Sequence, residues 1–503
     1  MMRQCRRQPY RMVAILAACA ALELAVPPGL VPAASPGLVS PASPGFAFAA
    51  SPAGATAAPP GTSTPAAANP ATAASAARIE EDVRFLASDE LEGRGLGSQG
   101  LEQALRMVAA RFAELGLAPA YPEKAAADDP LAGYFQPFTP EKQPASANVI
   151  GILRGGDDRQ PGSSPGGTFD AHSIAEATSP RALVIGAHID HLGLKAAPEG
   201  EQTDDAKGSR GHDDAKEDRI FNGADDNASG VAALLEIARM LTATPVREDD
   251  RTVVFAVFSG EESGLLGSRH FVEQPAVPMH ELIAMINLDS VGHLRNRQVI
   301  VFGTATAREF PDALKGLNHR FGFDLVLRQA DSGASDQTSF VAAGVPGLHF
   351  FTGPHEDYSR VSDTADKINY AGLAEVTDFV AELARYLRYR PQPLTFVAPK
   401  ASKAAPAGPL AAQGERRVSL GFMPDFTQES GGVKVGPVTP GGAAEAAGLK
   451  PGDVILALDD EPVEDLAEYA GVLRGLRPGD RVRLTVKRGG EQLHLNAEVR
   501  ERQ

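Results

Sequence analysis

Hydrophobic and polar positions divide the chain into segments of different period. Leu105, Val108, Phe112 and Leu115 repeat at helical spacing, and Gly116 stands where such a helix would stop. Between residues 148 and 390, short apolar runs alternate with helical repeats. The runs read as strands: Asn148–Leu153, Ala182–Ala187, Thr252–Phe258, Leu282–Leu288, Val299–Phe302 and Gly347–Phe351. Helices are expected over Ser229–Leu241, with Val231, Leu234, Leu235, Ala238 and Leu241 on one face, and over Ala371–Leu387, with Leu373, Val376, Phe379, Val380, Leu383 and Leu387 on one face. Apolar strands alternating with amphipathic helices predict an α/β sandwich, a mostly parallel central sheet flanked by helices.

Outside this region the pattern lapses. Residues 27–76 are almost entirely Ala, Pro, Ser, Gly and Thr, which cannot bury a core, and read as a disordered linker. Residues 391–414 read as a second linker, rich in Pro and Ala, and 415–503 as a separate small module of short strands. The α/β domain is therefore expected over 77–390, with a flexible acidic insertion at 195–218 that holds Glu199, Glu201, Asp204, Asp205, Asp213, Asp214, Glu217 and Asp218.

The N-terminus reads as an export signal over 1–26. Arg3, Arg6, Arg7 and Arg11 precede an apolar stretch from Met12 to about Val26 that Glu23 interrupts, too short for a good membrane span. Leu16-Ala17-Ala18-Cys19 also resembles a bacterial lipobox, so either a cleaved secreted form or a lipid anchor at Cys19 is compatible with it. Both readings put the protein in the bacterial periplasm or outside the cell. The only cysteines are Cys5 and Cys19, which excludes cysteine catalysis and Cys-based zinc sites in the folded part. A net charge of −16 argues against nucleic acid as the main partner.

Polar residues gather where the predicted strands end. His188 and Asp190 follow one strand, Glu261 and Glu262 another, Asp289 a third and His355 a fourth. In an open α/β sheet the C-terminal strand ends converge on one crevice, where ligands bind. Carboxylates are rarely buried unless paired or metal-bound. The run Asn222-Gly223-Ala224-Asp225-Asp226-Asn227-Ala228-Ser229-Gly230 leads into a helix and adds a further contribution. Alone it would read as a turn and N-cap. This mixed nitrogen and oxygen set suits Zn²⁺, and two ions if one carboxylate bridges. Of two adjacent glutamates, one can ligate metal while the other serves as general base. Other signatures fail: there is no H-E-x-x-H, and Gly162-Ser163-Ser164-Pro165-Gly166 lies in a loop without the strand-to-helix setting of a nucleophile elbow.

His188-Ile189-Asp190-His191-Leu192-Gly193, the Asp226 run, Gly260-Glu261-Glu262-Ser263-Gly264-Leu265-Leu266-Gly267-Ser268 and Asn287-Leu288-Asp289 resemble the di-zinc aminopeptidases of metallopeptidase family 28. That family includes bacterial leucyl aminopeptidases and glutamate carboxypeptidase II. The resemblance runs from about Arg78 to Tyr389, and Ala87-Ser88-Asp89-Glu90-Leu91-Glu92-Gly93-Arg94 looks like the opening of many bacterial members. It implies that His188 binds one zinc and Asp289 the other, Asp226 bridges both ions, Glu262 is a zinc ligand, Glu261 is the general base, and Asp190 orients His188. It also implies a cis peptide after Asp226. The family places a last zinc-binding His four residues before an Asp-Thr pair, where Tyr358-Ser359-Arg360-Val361-Ser362-Asp363-Thr364 has Ser359, a poor ligand. His355, four residues upstream, is expected to take over; otherwise one zinc is weakly held and the protein is slow, mono-zinc or inactive. Tyr358 matches a tyrosine that stabilises the oxyanion in some members, against a plain reading as a packed loop aromatic. His191 is expected to be structural rather than a ligand, and His293 and His349 to be ordinary surface or core residues.

Val418-Ser419-Leu420-Gly421-Phe422 resembles the carboxylate-binding loop of a PDZ domain, and Gly448-Leu449-Lys450-Pro451-Gly452-Asp453-Val454-Ile455 the strand-turn signature of bacterial protease PDZ domains. The resemblance implies that Leu420, Gly421 and Phe422 receive a C-terminal peptide by strand addition. The whole reads as an exported zinc-dependent exopeptidase, an aminopeptidase acting on peptides, with two zinc ions expected. The alternatives are a mono-zinc or impaired homologue that binds peptides, and another exopeptidase or cyclase on the same scaffold.

Overall fold

The computed structural model describes residues 70–156, 181–195, 219–333, 335–398, 418–425, 428, 431–439 and 441–501. The expected export segment, Cys5 and Cys19, nearly all of the first linker and residues 196–218 of the acidic insertion lie outside them.

In chain order the α/β part comprises α1 (Pro70–Leu86), α2 (Gln99–Glu114), β1 (Ala118–Pro119), β2 (Phe135–Phe138), β3 (Ser146–Leu153), β4 (Ala182–His188), β5 (Gly193–Leu194), β6 (Ile220–Phe221), α3 (Gly230–Thr242), β7 (Thr252–Phe258), α4 (Leu266–Glu273), β8 (Leu282–Leu288), β9 (Gln298–Phe302), α5 (Phe310–Phe321), β10 (Asp324–Leu327), α6 (Gln337–Ala342), β11 (Gly347–Phe351) and α7 (Tyr370–Tyr389). Nine strands form one sheet in the order β1-β3-β7-β4-β8-β11-β9-β10, with β2 also paired to β3. The central strands β7, β4, β8 and β11 are mutually parallel, and antiparallel strands extend both flanks.

The six predicted strands recur within two residues at each end, because each is apolar on both faces. Along β7, Val253, Phe255 and Val257 join the larger core, while Val254, Ala256 and Phe258 join a second core on the opposite face. Helices α1, α3 and α7 cover the first face, and α4 and α6, through Phe271 and Phe340, cover the second.

Two expected boundaries move. The first helix begins at Pro70, inside the segment read as linker up to residue 76. Ser75 is buried and donates to Glu236 Oε1 at 2.9 Å, and Thr72 donates to Asp378 Oδ2 at 3.2 Å. Alanine is the best helix former, so an Ala-rich stretch with an apolar face to cover folds as helix. The linker expected to start at 391 begins later too. Residues 395–397 pair with Thr306 to Arg308, and Glu309 accepts the Thr395 N–H at 2.9 Å.

The C-terminal module has its own core of Val418, Leu420, Val435, Ile455, Leu458, Leu473, Leu484 and Val486 among others. Its elements are β12 (Val418–Ser419), β13 (Phe422–Pro424), β14 (Val433–Val438), α8 (Ala443–Ala446), β15 (Val454–Leu458), β16 (Glu461–Pro462), α9 (Leu466–Arg474), β17 (Arg481–Arg488), β18 (Glu491–Glu498) and β19 (Arg500–Glu501). An antiparallel sheet of order β13-β14-β15-β17-β18 leaves β13 at one edge, and Phe422 of β13 meets Tyr469 of α9 with ring centroids 5.7 Å apart.

One buried cation fastens the N-terminal helices to the sheet. Arg94, fully buried, donates to the carbonyls of Ile189 (2.8 Å), Asn222 (2.8 Å), Gly223 (2.9 Å) and Leu86. Burial lowers its pKa to about 10, against the charges of Asp363, Asp226 and Asp190. Arg94→Met strips four buried carbonyls of their donor and removes the counter-charge. The expected loss is about 3 kcal/mol or more, read as a lower urea midpoint; an unchanged midpoint would contradict this role.

Candidate metal centre

The C-terminal ends of the parallel strands carry the polar residues, as the sequence predicts. His188 closes β4, and its Nδ1 lies 3.1 Å from the main-chain oxygen of Asp190. The Asp190 carboxylate is 4.0 Å from that nitrogen and instead accepts the N–H groups of Glu261 (3.1 Å) and Glu262 (3.3 Å). Asp190 therefore fixes the glutamate turn after β7 as much as the histidine. Asp289 follows β8. Asp226 lies in the turn ahead of α3, where the Asp226–Asn227 peptide is cis, as the resemblance implies. Asn227 locks that turn to β8, donating to the Leu288 carbonyl at 2.9 Å and accepting from Gly230 N at 3.0 Å.

These elements assemble two groups that share Asp226. In the first, His188 Nε2 lies 3.2 Å from Asp226 Oδ1 and 3.4 Å from Asp289 Oδ1. In the second, His191 Nδ1 lies 3.0 Å from Glu262 Oε1 and 3.9 Å from Asp226 Oδ1. A tetrahedron with bonds of roughly 2.0–2.1 Å has edges of roughly 3.3 Å. Donor atoms at these separations, from His and carboxylate side chains, fit zinc.

The second group differs from two expectations. His191, read as structural, lies with Asp226 and Glu262 in a group that could hold a metal ion. His355, expected to replace the missing histidine, does not join Glu262; it groups with Asp225 and His293. The chain from His355 turns back at once, with Tyr358 N donating to His355 O at 3.2 Å, and His355 Nε2 lies 3.1 Å from Asp225 Oδ2. Tyr358 belongs with this second neighbourhood: its ring meets those of His355 and Phe351 edge-on, at 6.0 and 6.4 Å. The signal for His191 lay in His188-Ile189-Asp190-His191, whose second histidine follows the strand by only three residues. It is held there by Gly223 (φ 58°), where a Cβ would sit 2.6 Å from the His191 ring.

Asp363 was also missed as a supporting residue. Fully buried, it accepts the N–H groups of Asp225 (3.0 Å) and Asp226 (3.1 Å) and so shapes the bridging turn. Burial, then the Asp225 charge, pushes it up to about 7. Asp336, fully buried, is pushed up to about 7 by burial, with the Asp190 and Asp289 charges adding. Neither has a strand-end signature in the sequence.

Glu261 is raised well above the ordinary carboxylate range, by burial first and then by Glu262 and Asp289, with His188 opposing. Burial disfavours the charged form of His188, but the Asp289 and Glu261 charges outweigh it and hold the ring's pKa well above the usual value. A proton on His188 thus offsets the surrounding carboxylates, and a cation binding there must displace it. Zinc affinity should therefore fall as pH drops from 8 to 6, with proton release on binding, measurable by calorimetry in two buffers. A pH-independent affinity would count against His188 as a ligand. His191→Ala should remove one equivalent of zinc and lower kcat/KM by about two orders of magnitude; full metal content in that variant would remove His191 from the site.

In the C-terminal module, Leu420 is buried in the core, Gly421 has a left-handed backbone (φ 74°) and Phe422 opens the edge strand β13. The Gly421 N–H reaches the Ser419 hydroxyl at 3.0 Å.

An α/β sheet that delivers histidines and carboxylates from separate strand ends to one shared aspartate forms groups that could hold metal ions. Residues 171–384 match the model of peptidase family M28, and residues 419–499 match that of the PDZ domain. The chain thus carries a peptidase family M28 domain followed by a PDZ domain. Relatives include aminopeptidase YwaD of Bacillus subtilis, 29% identical over 31% of this chain and 36% of its own length. Another is a probable leucine aminopeptidase of Trichophyton verrucosum, 28% identical over 42% of this chain and 57% of its own. The chain spans about a third to just over half the length of these relatives. Among solved structures, BSAP, a zinc aminopeptidase from Bacillus subtilis, aligns with a TM-score of 0.43 at 17% identity, covering 62% of this chain and 94% of that one. A glutaminyl cyclase from Porphyromonas gingivalis aligns with a TM-score of 0.44 at 17% identity, over 62% and 98%.

Proposed function

We propose that this chain is a zinc-dependent aminopeptidase that holds two ions, one by His188, Asp226 and Asp289, the other by His191, Asp226 and Glu262. The observation that carries this reading is the pair of His/carboxylate groups meeting at Asp226 with Glu261 beside them. When bound, zinc ions there would polarise the scissile carbonyl and acidify the attacking water. Glu261 takes the proton of that water and passes it to the departing amine. Its raised pKa suits both halves of that task. Asp190 keeps the Glu261–Glu262 turn in place through two N–H bonds. The negative side chains around the ions attract the free α-amino group of a peptide, which favours cleavage at an N-terminus. Tyr358, packed against His355, has the plain role of a loop aromatic in this reading.

His191 in the second group supports a two-ion enzyme over the mono-zinc or peptide-binding alternatives that Ser359 suggested. The N-terminal signal supports export to the periplasm or beyond, and no helix among the described residues is long and apolar enough to cross a membrane. The edge strand β13, with Leu420, Gly421 and Phe422 at its entry, supports capture of a peptide C-terminus by strand addition.

The test is Glu261→Gln assayed on free and N-acetylated peptides. The variant should keep its zinc and lose about 10²- to 10⁴-fold in kcat, while the wild type cleaves the free peptides alone. Near-normal turnover by the variant would remove Glu261 as the base, and equal cleavage of blocked peptides would remove the aminopeptidase reading.

A further inference from the structure

The C-terminal module meets the catalytic end of the sheet at two places. Arg474, the last residue of α9, donates to the Gly333 carbonyl at 3.4 Å. The loop that carries Gly333 is tied to β8 two residues before Asp289, where Asn287 donates to the Ser335 hydroxyl at 2.7 Å. The second meeting place is a cleft of about 430 Å³. Arg295, Ile300, Thr352 and Pro354 line one side of it, and Pro424 and Asp425 of the module line the other. Thr352 is tied to the residue after Asp289, donating its N–H to the Ser290 carbonyl at 3.1 Å. The helix α9 and the edge strand β13 thus both rest on segments bonded to close neighbours of Asp289.

The free edge of β13 has a direction. A peptide that adds antiparallel to it, with its C-terminus beside Leu420–Phe422, has its preceding residues alongside Pro424, at the cleft. The cleft lies at the catalytic end of the sheet. Ile300 of β9 is level with Phe351 of β11, and β11 adjoins β8, whose end carries Asp289. Two strand spacings separate β9 from β8, roughly 10 Å. An extended residue spans about 3.3 Å, so about three residues cross from the metal centre to the cleft and about three more reach Phe422. Arg295 donates to the Pro354 carbonyl, which holds its guanidinium at the cleft wall as a donor to peptide carbonyls.

We infer that the cleft and the β13 edge form one peptide track with the metal centre. The module holds the C-terminal carboxylate of a substrate while the N-terminus of the same peptide lies at the metal ions. The ligand is a peptide of about six or more residues with a free C-terminal carboxylate. This rests on the aminopeptidase reading and adds a length requirement to it. The second end of a bound peptide docks at high effective concentration, so the anchor lowers KM more than it changes kcat. Products too short to span the track lose the anchor and leave.

The test uses the full wild-type chain and peptides with a common N-terminal sequence, each made as the free acid and as the C-terminal amide, from tripeptides upward. For the acids, kcat/KM should rise about tenfold or more, through KM, once the length passes about six residues. The amides should show no such step. Phe422→Asp should remove the difference between long acids and long amides. Cleavage of tripeptides with no acid–amide difference at any length would overturn the track and leave the aminopeptidase reading standing, and a folded Phe422→Asp that keeps the difference would also overturn it. Failure to cleave any free peptide, tripeptides included, would sink the aminopeptidase reading and the track with it.

Discussion

Buried negative charge at one end of the sheet is the constraint on which the site depends. Asp190, Asp225, Asp226, Asp289, Asp336 and Asp363 are all at most 8% exposed, and Glu261 and Glu262 stand beside them. Carboxylates in such a place must be protonated, hydrogen-bonded or paired with cations. The fold uses each solution. Asp363 and Asp190 accept main-chain N–H groups, Asp336 and Asp363 are shifted towards the protonated state, and Arg94 supplies one fixed cation. Asp226, Asp289 and Glu262 face the imidazoles of His188 and His191, with Ser290 also donating to Asp289, and the negative charge left there is what a divalent ion would neutralise.

The sheet was legible because its central strands are apolar at nearly every position, with Asn287 in β8 and His349 in β11 among the exceptions. Continuous runs such as Thr252–Phe258 leave no ambiguity of face or register, and both cores receive alternate residues from them. The strand-end positions of His188, Glu262 and Asp289 were legible for a related reason: a polar residue close after a buried strand has few places to go. The bridging turn was harder. Asp225 and Asp226 are adjacent and chemically identical, and only the resemblance separated them. In space they part completely, each with its own histidines.

The misreadings share a physical cause, which is that distance along the chain does not fix direction. His355 lies four residues from Ser359 and was expected to reach the same ion. A turn closed at Tyr358 and the waiting Asp225 carboxylate draw it elsewhere. His191 sits three residues beyond the end of β4, on an irregular segment whose path depends on Arg94 and Gly223, two contacts from remote parts of the sequence. The Ala-rich start of α1 was misjudged differently. Composition alone describes a linker there, yet Ser75 and Thr72 find partners on α3 and α7, and the helix forms because tertiary contacts reward it.

The two adjacent glutamates show how neighbours acquire different chemistry. Both main-chain N–H groups are tied to the two oxygens of Asp190, so the turn has a single orientation. From it the Glu262 side chain reaches His191 and Asp226, where its charge is shared with an imidazole. Glu261 is left among like charges, with His188 as its opposing neighbour, and its affinity for a proton rises. A carboxylate that ligates metal needs to stay ionised, whereas one that carries a proton from water to an amine needs a pKa above the ordinary carboxylate value. The different electrostatic surroundings of Glu261 and Glu262 therefore follow from how one buried aspartate anchors their turn.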